Sequence, residues 1–131
     1  MIIGLEFLQA SPSNWTMTSH SPTQTDLFAA LGLSALCLGI YLLTICPTVY
    51  WYDSAEFAAA ASVWGVPHPP GYPLYVLSGW LFCFLPVEPA LAVNLMSATY
   101  GALCVGMVYT LCRRLGATTV PALLGAATMG T

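Results

Sequence analysis

The chain has 131 residues, of which 58% are hydrophobic and only 5% charged, and its net charge is -3. A soluble domain carries about 25% charged residues, so this composition excludes a soluble globular surface and indicates an integral membrane protein. Two basic side chains against five acidic ones also exclude a nucleic-acid partner and a polybasic lipid-binding patch.

Residues 1–26 differ from the rest, being rich in Ser, Thr, Pro, Gln and Asn. They read as a disordered cytosolic lead, with residues 2–8 lying on the membrane surface. No Lys or Arg precedes the first apolar run and no small-residue cleavage site stands out, so a signal peptide is not expected. Asn14-Trp15-Thr16 matches the glycosylation sequon, which stays unused at a cytosolic end.

Residues 27–46 form an uninterrupted apolar run of about twenty residues, the length of a membrane span. Pro47 ends this first transmembrane helix, and Tyr50, Trp51 and Tyr52 form an aromatic belt at the far interface. Residues 47–89 then read as an outer loop. Within it, the alanine-rich stretch 54–63 is helical but too short to span, and Gly65 and Pro67 stop it. His68-Pro69-Pro70-Gly71-Tyr72-Pro73 is an extended turn with little freedom. Residues 72–85 are apolar over about fourteen positions, which suits a re-entrant or interfacial helix.

Residues 90–112 are long enough to span with some tilt. They carry Ser97-x-x-x-Gly101 and Ala102-x-x-x-Gly106, small-residue pairs that let helix backbones approach. Arg113 and Arg114 close this second span. Residues 120–131 begin a third apolar segment that stops without a flank, so the chain reads as an amino-terminal fragment. Five cysteines are scattered through apolar segments in no metal-binding spacing, and read as small hydrophobes between helices. The fold class is therefore all-α, a helical transmembrane bundle with juxtamembrane helices in the first outer loop.

Orientation follows from charge. Arg113 and Arg114 belong on the cytoplasmic side. If 72–85 does not cross, residues 47–89 lie outside and the first helix runs outward.

The chemistry concentrates in the outer loop. Asp53 and Glu56 are three apart, so on a helix they share a face. The pair reads two ways. It matches a capping box, and it suits a catalytic pair in which Asp53 is a general base in a partly dry setting. The two readings are compatible. Glu56 would orient the acceptor or share a metal ion. No cofactor is assigned, because a divalent cation would want more oxygen ligands than this pair supplies. His68, held extended before Pro69, could donate to a phosphate or to Asp53. Tyr50, Trp51, Tyr52, Tyr72 and Tyr75 are most simply interfacial anchors. No Lys or Arg lies on the expected outer side, so the positive charge that a lipid-phosphate donor needs must come from elsewhere.

At these residues a family resemblance emerges. Residues 44–110 resemble the amino-terminal part of a family of multi-spanning membrane proteins that includes an endoplasmic-reticulum O-mannosyltransferase of plexin-type receptors. The matching pieces are Pro47-Thr48-Val49-Tyr50-Trp51, Asp53-Ser54-Ala55-Glu56-Phe57, the block from Gly65 to Tyr75, and Val93-Asn94-Leu95-Met96-Ser97-Ala98. The family is similar to the GT-C glycosyltransferases, which use a lipid-linked sugar donor and place a catalytic acid in the first outer loop. The resemblance implies that Asp53 is that acid. It also implies that Glu56 and His68 line the same pocket, with Tyr72 and Tyr75 beside them to bind substrate. It further implies a polyprenyl-phosphate sugar donor, contact with membrane lipid, and downstream helices of a longer protein. Localisation would be a bacterial inner membrane or the endoplasmic reticulum. This chain has Ala55 where the family usually has Gly, and Trp80 where it often has Lys, which removes a positive charge. Two other classes stay open on the residues alone: a small non-catalytic membrane protein, and an ion- or proton-coupled transporter fragment.

Overall fold

A computed structural model describes Ser21 and residues 23–130. Most of the amino-terminal lead, including Asn14, lies outside the described residues. The described residues form five helices and no strand: α1 (Gln24–Thr44), α2 (Ser54–Val63), α3 (Pro73–Phe82), α4 (Pro89–Arg114) and α5 (Thr119–Ala127). All five cysteines are unpaired.

α1 opens with a capping box. The Thr23 hydroxyl accepts from the Asp26 backbone N–H, and the Asp26 carboxylate accepts from the Thr23 N–H at 3.0 Å. Two orphan donors of the first turn are thus satisfied. The helix ends at Thr44 and Ile45 turns extended, two residues ahead of Pro47, which disfavours the helical region at Cys46. α1 and α4 are both long and apolar enough to cross a membrane, judged by length and composition. α3 is apolar but has ten residues, a rise of about 15 Å against a hydrocarbon core of about 30 Å.

α4 is the spine of the molecule, and α1 lies antiparallel to it. At one end Arg113 Nε donates to Asp26 Oδ1 at 2.6 Å. At the other, Asn94 Nδ2 donates to the carbonyls of Cys46 at 2.8 Å and Thr48 at 3.2 Å. Between them the backbones approach closely at Gly106, where a Cβ would meet Ser34 Oγ and, at 3.1 Å, the Ala30 carbonyl oxygen. The small-residue pattern in α4 thus marks a real helix contact.

Two apolar clusters divide α4. Val105 and Tyr109 in its second half pack with Ala30 of α1 and with Ala122 and Ala126 of α5. Val93 and Met96 in its first half pack with Ala61 of α2, and with Tyr75, Phe82 and Cys83 from the α3 region. The outward face of α1 stays apolar, with Phe28 70% and Leu43 88% exposed. Exposed apolar surface of this kind marks a face that meets lipid or further protein.

Candidate functional site

The site forms where α2, the turn after it and α3 fold back onto the first half of α4. The segment entering it is tied down at both ends. Asn94 holds the carbonyls of Cys46 and Thr48, and the Tyr50 N–H donates to Ser54 Oγ at 3.0 Å. Tyr52 adopts a left-handed backbone, with φ of 60°, and so aims the chain into α2 one residue before the key acid.

Asp53 occupies the N-cap position of α2, but its side chain makes no capping hydrogen bond. The capping box read from Asp53-x-x-Glu56 does not form. Glu56 turns instead across the loop to a residue twelve positions on. Its Oε1 accepts the His68 backbone N–H at 2.7 Å, and its Oε2 lies 3.0 Å from His68 Nδ1. The His68 ring, and next its backbone N–H, hold the Glu56 carboxyl below its ordinary value of 4.5, against an opposing effect of desolvation. The other ring nitrogen of His68, Nε2, lies 4.0 Å from Asp53 Oδ2. The three side chains are exposed to solvent, at 59% for Asp53, 45% for Glu56 and 40% for His68. They form an open, solvent-accessible cluster.

The turn is built to hold His68 in place. Trp64 ends α2 in the left-handed conformation and the Gly65 N–H donates to the Ala60 carbonyl at 2.8 Å. The Gly71 N–H closes onto the His68 carbonyl at 3.0 Å. Gly71 has φ of 88°, a backbone that only glycine adopts without strain. Tyr72 follows in the left-handed region and Pro73 starts α3, its fixed φ suited to the first helical position.

Phe57 is the hub of the aromatic side. Its ring meets His68 at 5.8 Å, Tyr72 at 5.2 Å and Tyr75 at 4.9 Å, all edge to face. Tyr72 also meets His68 at 5.7 Å. Of the two expected substrate-binding tyrosines, Tyr72 therefore stands beside the histidine. Tyr75 is half-buried and packs between Phe57 and the α2–α4 cluster, one ring further from the carboxylates. Phe57 had no role in the sequence reading beyond its place in the motif. Its position directly after Glu56 was the available signal, since it points at the next angle around α2. On the far side of the turn, Trp64, Val66, Pro70, Pro73, Val76 and Leu77 line an open apolar groove of about 310 Å³.

One ligand atom from each of Asp53, Glu56 and His68 falls within 4.8 Å of the others. Both Glu56 oxygens are already engaged by His68. Asp53 and Nε2 are then the ligands left for a cation, well short of the shell that a hard divalent ion takes. The arrangement is better suited to moving a proton: two carboxylates flank one imidazole.

Comparison with known proteins places the chain in a family. The family described as the protein O-mannosyl-transferase TMEM260 N-terminal domain matches residues 53–128, a range that starts at the cluster's first acid. The chain is 34% identical over 77 residues to protein O-mannosyl-transferase tmem260 of Dictyostelium discoideum, an alignment covering 56% of this chain and 9% of that relative. It is 33% identical over 87 residues to protein O-mannosyl-transferase TMEM260 of Mus musculus, covering 63% of this chain and 12% of that relative. The chain thus aligns with only about a tenth of the length of these relatives. No solved structure matches it significantly.

Proposed function

We propose a function from one premise: this chain belongs to the TMEM260 N-terminal domain family of protein O-mannosyl-transferases. In our reading it supplies the acid-bearing part of a membrane mannosyltransferase site. Mannose moves there from a polyprenyl-phosphate donor to a hydroxyl on a protein acceptor. The observation that carries this reading is the convergence of Asp53, Glu56 and His68 within 4.8 Å, at the start of the matched range.

Asp53 is the general base. It takes the proton of the acceptor hydroxyl as that oxygen bonds to the sugar's anomeric carbon. The bond from that carbon to the phosphate oxygen breaks, and the electron pair leaves with the lipid phosphate. A positioned general base contributes about 10²–10⁴ in rate. Glu56 and His68 line the same pocket, and Tyr72 and Tyr75 offer ring faces to substrate. The apolar groove beside the turn suits the first units of the polyprenyl chain.

α1 and α4 are the transmembrane helices of this reading, with α2 and α3 juxtamembrane on the outer or lumenal face. The chain's two basic residues, Arg113 and Arg114, end α4 at the opposite end from Asn94 and the site. The donor's phosphate therefore finds its positive charge in the downstream helices of a longer protein. A transporter site would bury its acids within the helix bundle, whereas this charged cluster is exposed.

The test is a chimaera in which this chain replaces the matching segment of the mouse relative, supplied with labelled polyprenyl-phosphate mannose. We expect transfer by the chimaera and a loss of about 100-fold or more in Asp53→Asn. Undiminished transfer in Asp53→Asn would remove Asp53 from the chemistry. A folded chimaera that transfers nothing, beside an active mouse parent, would remove the whole reading.

A further inference from the structure

Glu56 spends both of its oxygens on a single residue. Oε1 accepts the backbone N–H of His68 at 2.7 Å and Oε2 faces ring atom Nδ1 at 3.0 Å. An ionised carboxylate can only accept hydrogen bonds. The atom facing Oε2 must therefore carry a hydrogen, so Nδ1 is protonated. A neutral imidazole has one N–H, and Nε2 is then left with a free lone pair.

That lone pair faces Asp53. Nε2 and Oδ2 are 4.0 Å apart, too far for a hydrogen bond to each other. The gap is wide enough for one oxygen atom to sit about 2.8 Å from both, and a water there can bridge them because it has two hydrogens to give. The ring cannot easily turn away. Its own backbone N–H is tethered to the same carboxylate, Pro69 holds the backbone extended, and the rings of Phe57 and Tyr72 stand edge to face on it at 5.8 and 5.7 Å. The titratable groups facing the ring are Glu56 and Asp53 from the start of α2 and Tyr72 from the start of α3.

We propose that Glu56 is a positioning residue that acts through His68, fixing the Nδ1–H form of the ring so that Nε2 keeps a free lone pair beside Asp53 Oδ2, the atom that receives the acceptor hydroxyl's proton. This rests on the transferase reading and extends it by giving the proton a destination. The hydroxyl proton passes to Asp53 as the new C–O bond forms and the lipid phosphate departs with its electron pair. Once the product oxygen has left, a water in the gap accepts the proton from Asp53 and donates one of its own to Nε2, because an imidazole ordinarily holds a proton more tightly than a carboxylate does. Asp53 is restored as a carboxylate, and the imidazolium lies between Asp53 and Glu56. Glu56 itself touches neither substrate nor the reacting atoms.

Ring nitrogen NMR reads the arrangement without any sugar transfer. The chain has two histidines, His20 and His68, so His20→Gln leaves a single labelled ring in the 131-residue chain in detergent micelles. At about pH 8, above the ordinary histidine pKa, we expect Nδ1 to be the protonated nitrogen. Glu56→Ala should move the population to the Nε2–H form that an unconstrained imidazole prefers. Glu56→Gln keeps the side-chain shape and the folded turn, but its amide oxygen accepts the backbone N–H and its NH2 then donates to Nδ1, so it too should move the ring to the Nε2–H form. An Nε2–H majority in the unsubstituted ring, or an unchanged ring spectrum in Glu56→Ala, would overturn the proposal.

A second readout separates positioning from mere support. In the transferring chimaera, Glu56→Gln should lower transfer although the turn stays folded, because the reversed ring presents a hydrogen to Asp53 in place of a lone pair. A Glu56→Gln chimaera that keeps full transfer with a reversed ring, or loses transfer with an unreversed one, would also overturn the proposal. Failure of sugar transfer with the expected ring spectrum would count against the transferase reading alone.

Discussion

Replacing Gly79 with alanine tests how the two site-bearing helices are held together. Gly79 is buried in α3. A Cβ there would stand 2.9 Å from the Ala61 methyl of α2 and 3.4 Å from Cγ2 of Val93 in α4. Carbon atoms rest at about 3.5–4.0 Å, so α2 and α3 must part by roughly 1 Å. The Ala61 methyl is bonded directly to the backbone and cannot rotate aside, which leaves helix displacement as the only relief. Two effects then compete. Alanine is favoured over glycine inside a helix by about 1 kcal/mol, while overpacking a tight contact costs about 1–3 kcal/mol. The expected net is a destabilisation of about 0–2 kcal/mol. Adding Ala61→Gly removes the opposing methyl, so the pair should be more stable than the two single effects summed, by about 0.5–3 kcal/mol. The site should register the shift as well. Glu56 rides on α2 and His68 on the turn leading into α3, and a displacement of roughly 1 Å takes their 2.7 and 3.0 Å contacts past hydrogen-bond range. Denaturant unfolding in micelles gives the stability, and the His68 ring spectrum gives the geometry. A Gly79→Ala chain more stable by the full helix preference of about 1 kcal/mol, with an unchanged ring spectrum, would refute the close approach of α2 and α3.

At the other end of the molecule, Asp26→Ala or Arg113→Ala alone should lower the thermal midpoint more than the double substitution does, because each single change strands a charge between helices. Additive losses in the four-member cycle would argue against that pairing. The depressed Glu56 pKa makes stability depend on pH with a defined sign. Above its ordinary value of 4.5 the group is ionised in both states and its contribution is complete. As pH falls, the unfolded chain takes up the proton first, and the contribution is lost as pH drops through the lower folded value. Acid unfolding curves should show that loss, Glu56→Gln should flatten it, and an equal slope in both chains would contradict it. Phe57→Leu keeps apolar bulk but removes edge-to-face contacts with three rings, each worth about 0.5–1.5 kcal/mol. Its His68 ring signal should broaden or split, and a sharp, unshifted signal would show that Phe57 does not order the histidine.

Much of this was legible in the chain because the signals were local. Apolar runs without charges announced two long helices. Pro47, Pro73 and Pro89 stand where helices stop or start, since proline restricts the residue before it and fixes its own φ. The His68–Tyr75 block announced a rigid turn next to two acids. What was not legible required contacts distant in sequence. The spacing Asp53-x-x-Glu56 satisfies a capping box, but a carboxylate chooses its partners by what the tertiary fold presents, and His68 offers its backbone N–H and a ring nitrogen at once. Asp26 looked like the last residue of a polar lead. Only the antiparallel return of α4 brings Arg113 to it. Asn94 looked like one more residue in an apolar span, until its amide is seen holding two carbonyls of the segment entering the site.

The distribution of strain supports the view that this loop is shaped for a purpose beyond joining two helices. Among the described residues, three that are not glycine have positive φ: Tyr52 at 60°, Trp64 at 56° and Tyr72 at 42°. They fall just before α2, just after it, and just before α3. Each such residue costs of order 1–3 kcal/mol and persists only where its surroundings over-determine it. Glycine would remove that cost at all three positions, yet aromatic side chains stand there. Two of the three rings have work to do: Tyr72 stands against Phe57 and His68, and Trp64 stacks edge to face on Trp80 at 4.7 Å. The left-handed turns thus orient α2 while keeping aromatic walls around the histidine and the apolar groove. A loop selected only to connect α1 to α4 could be shorter and unstrained. One that must hold an acid, an imidazole and a second carboxylate together gains from a backbone that cannot relax.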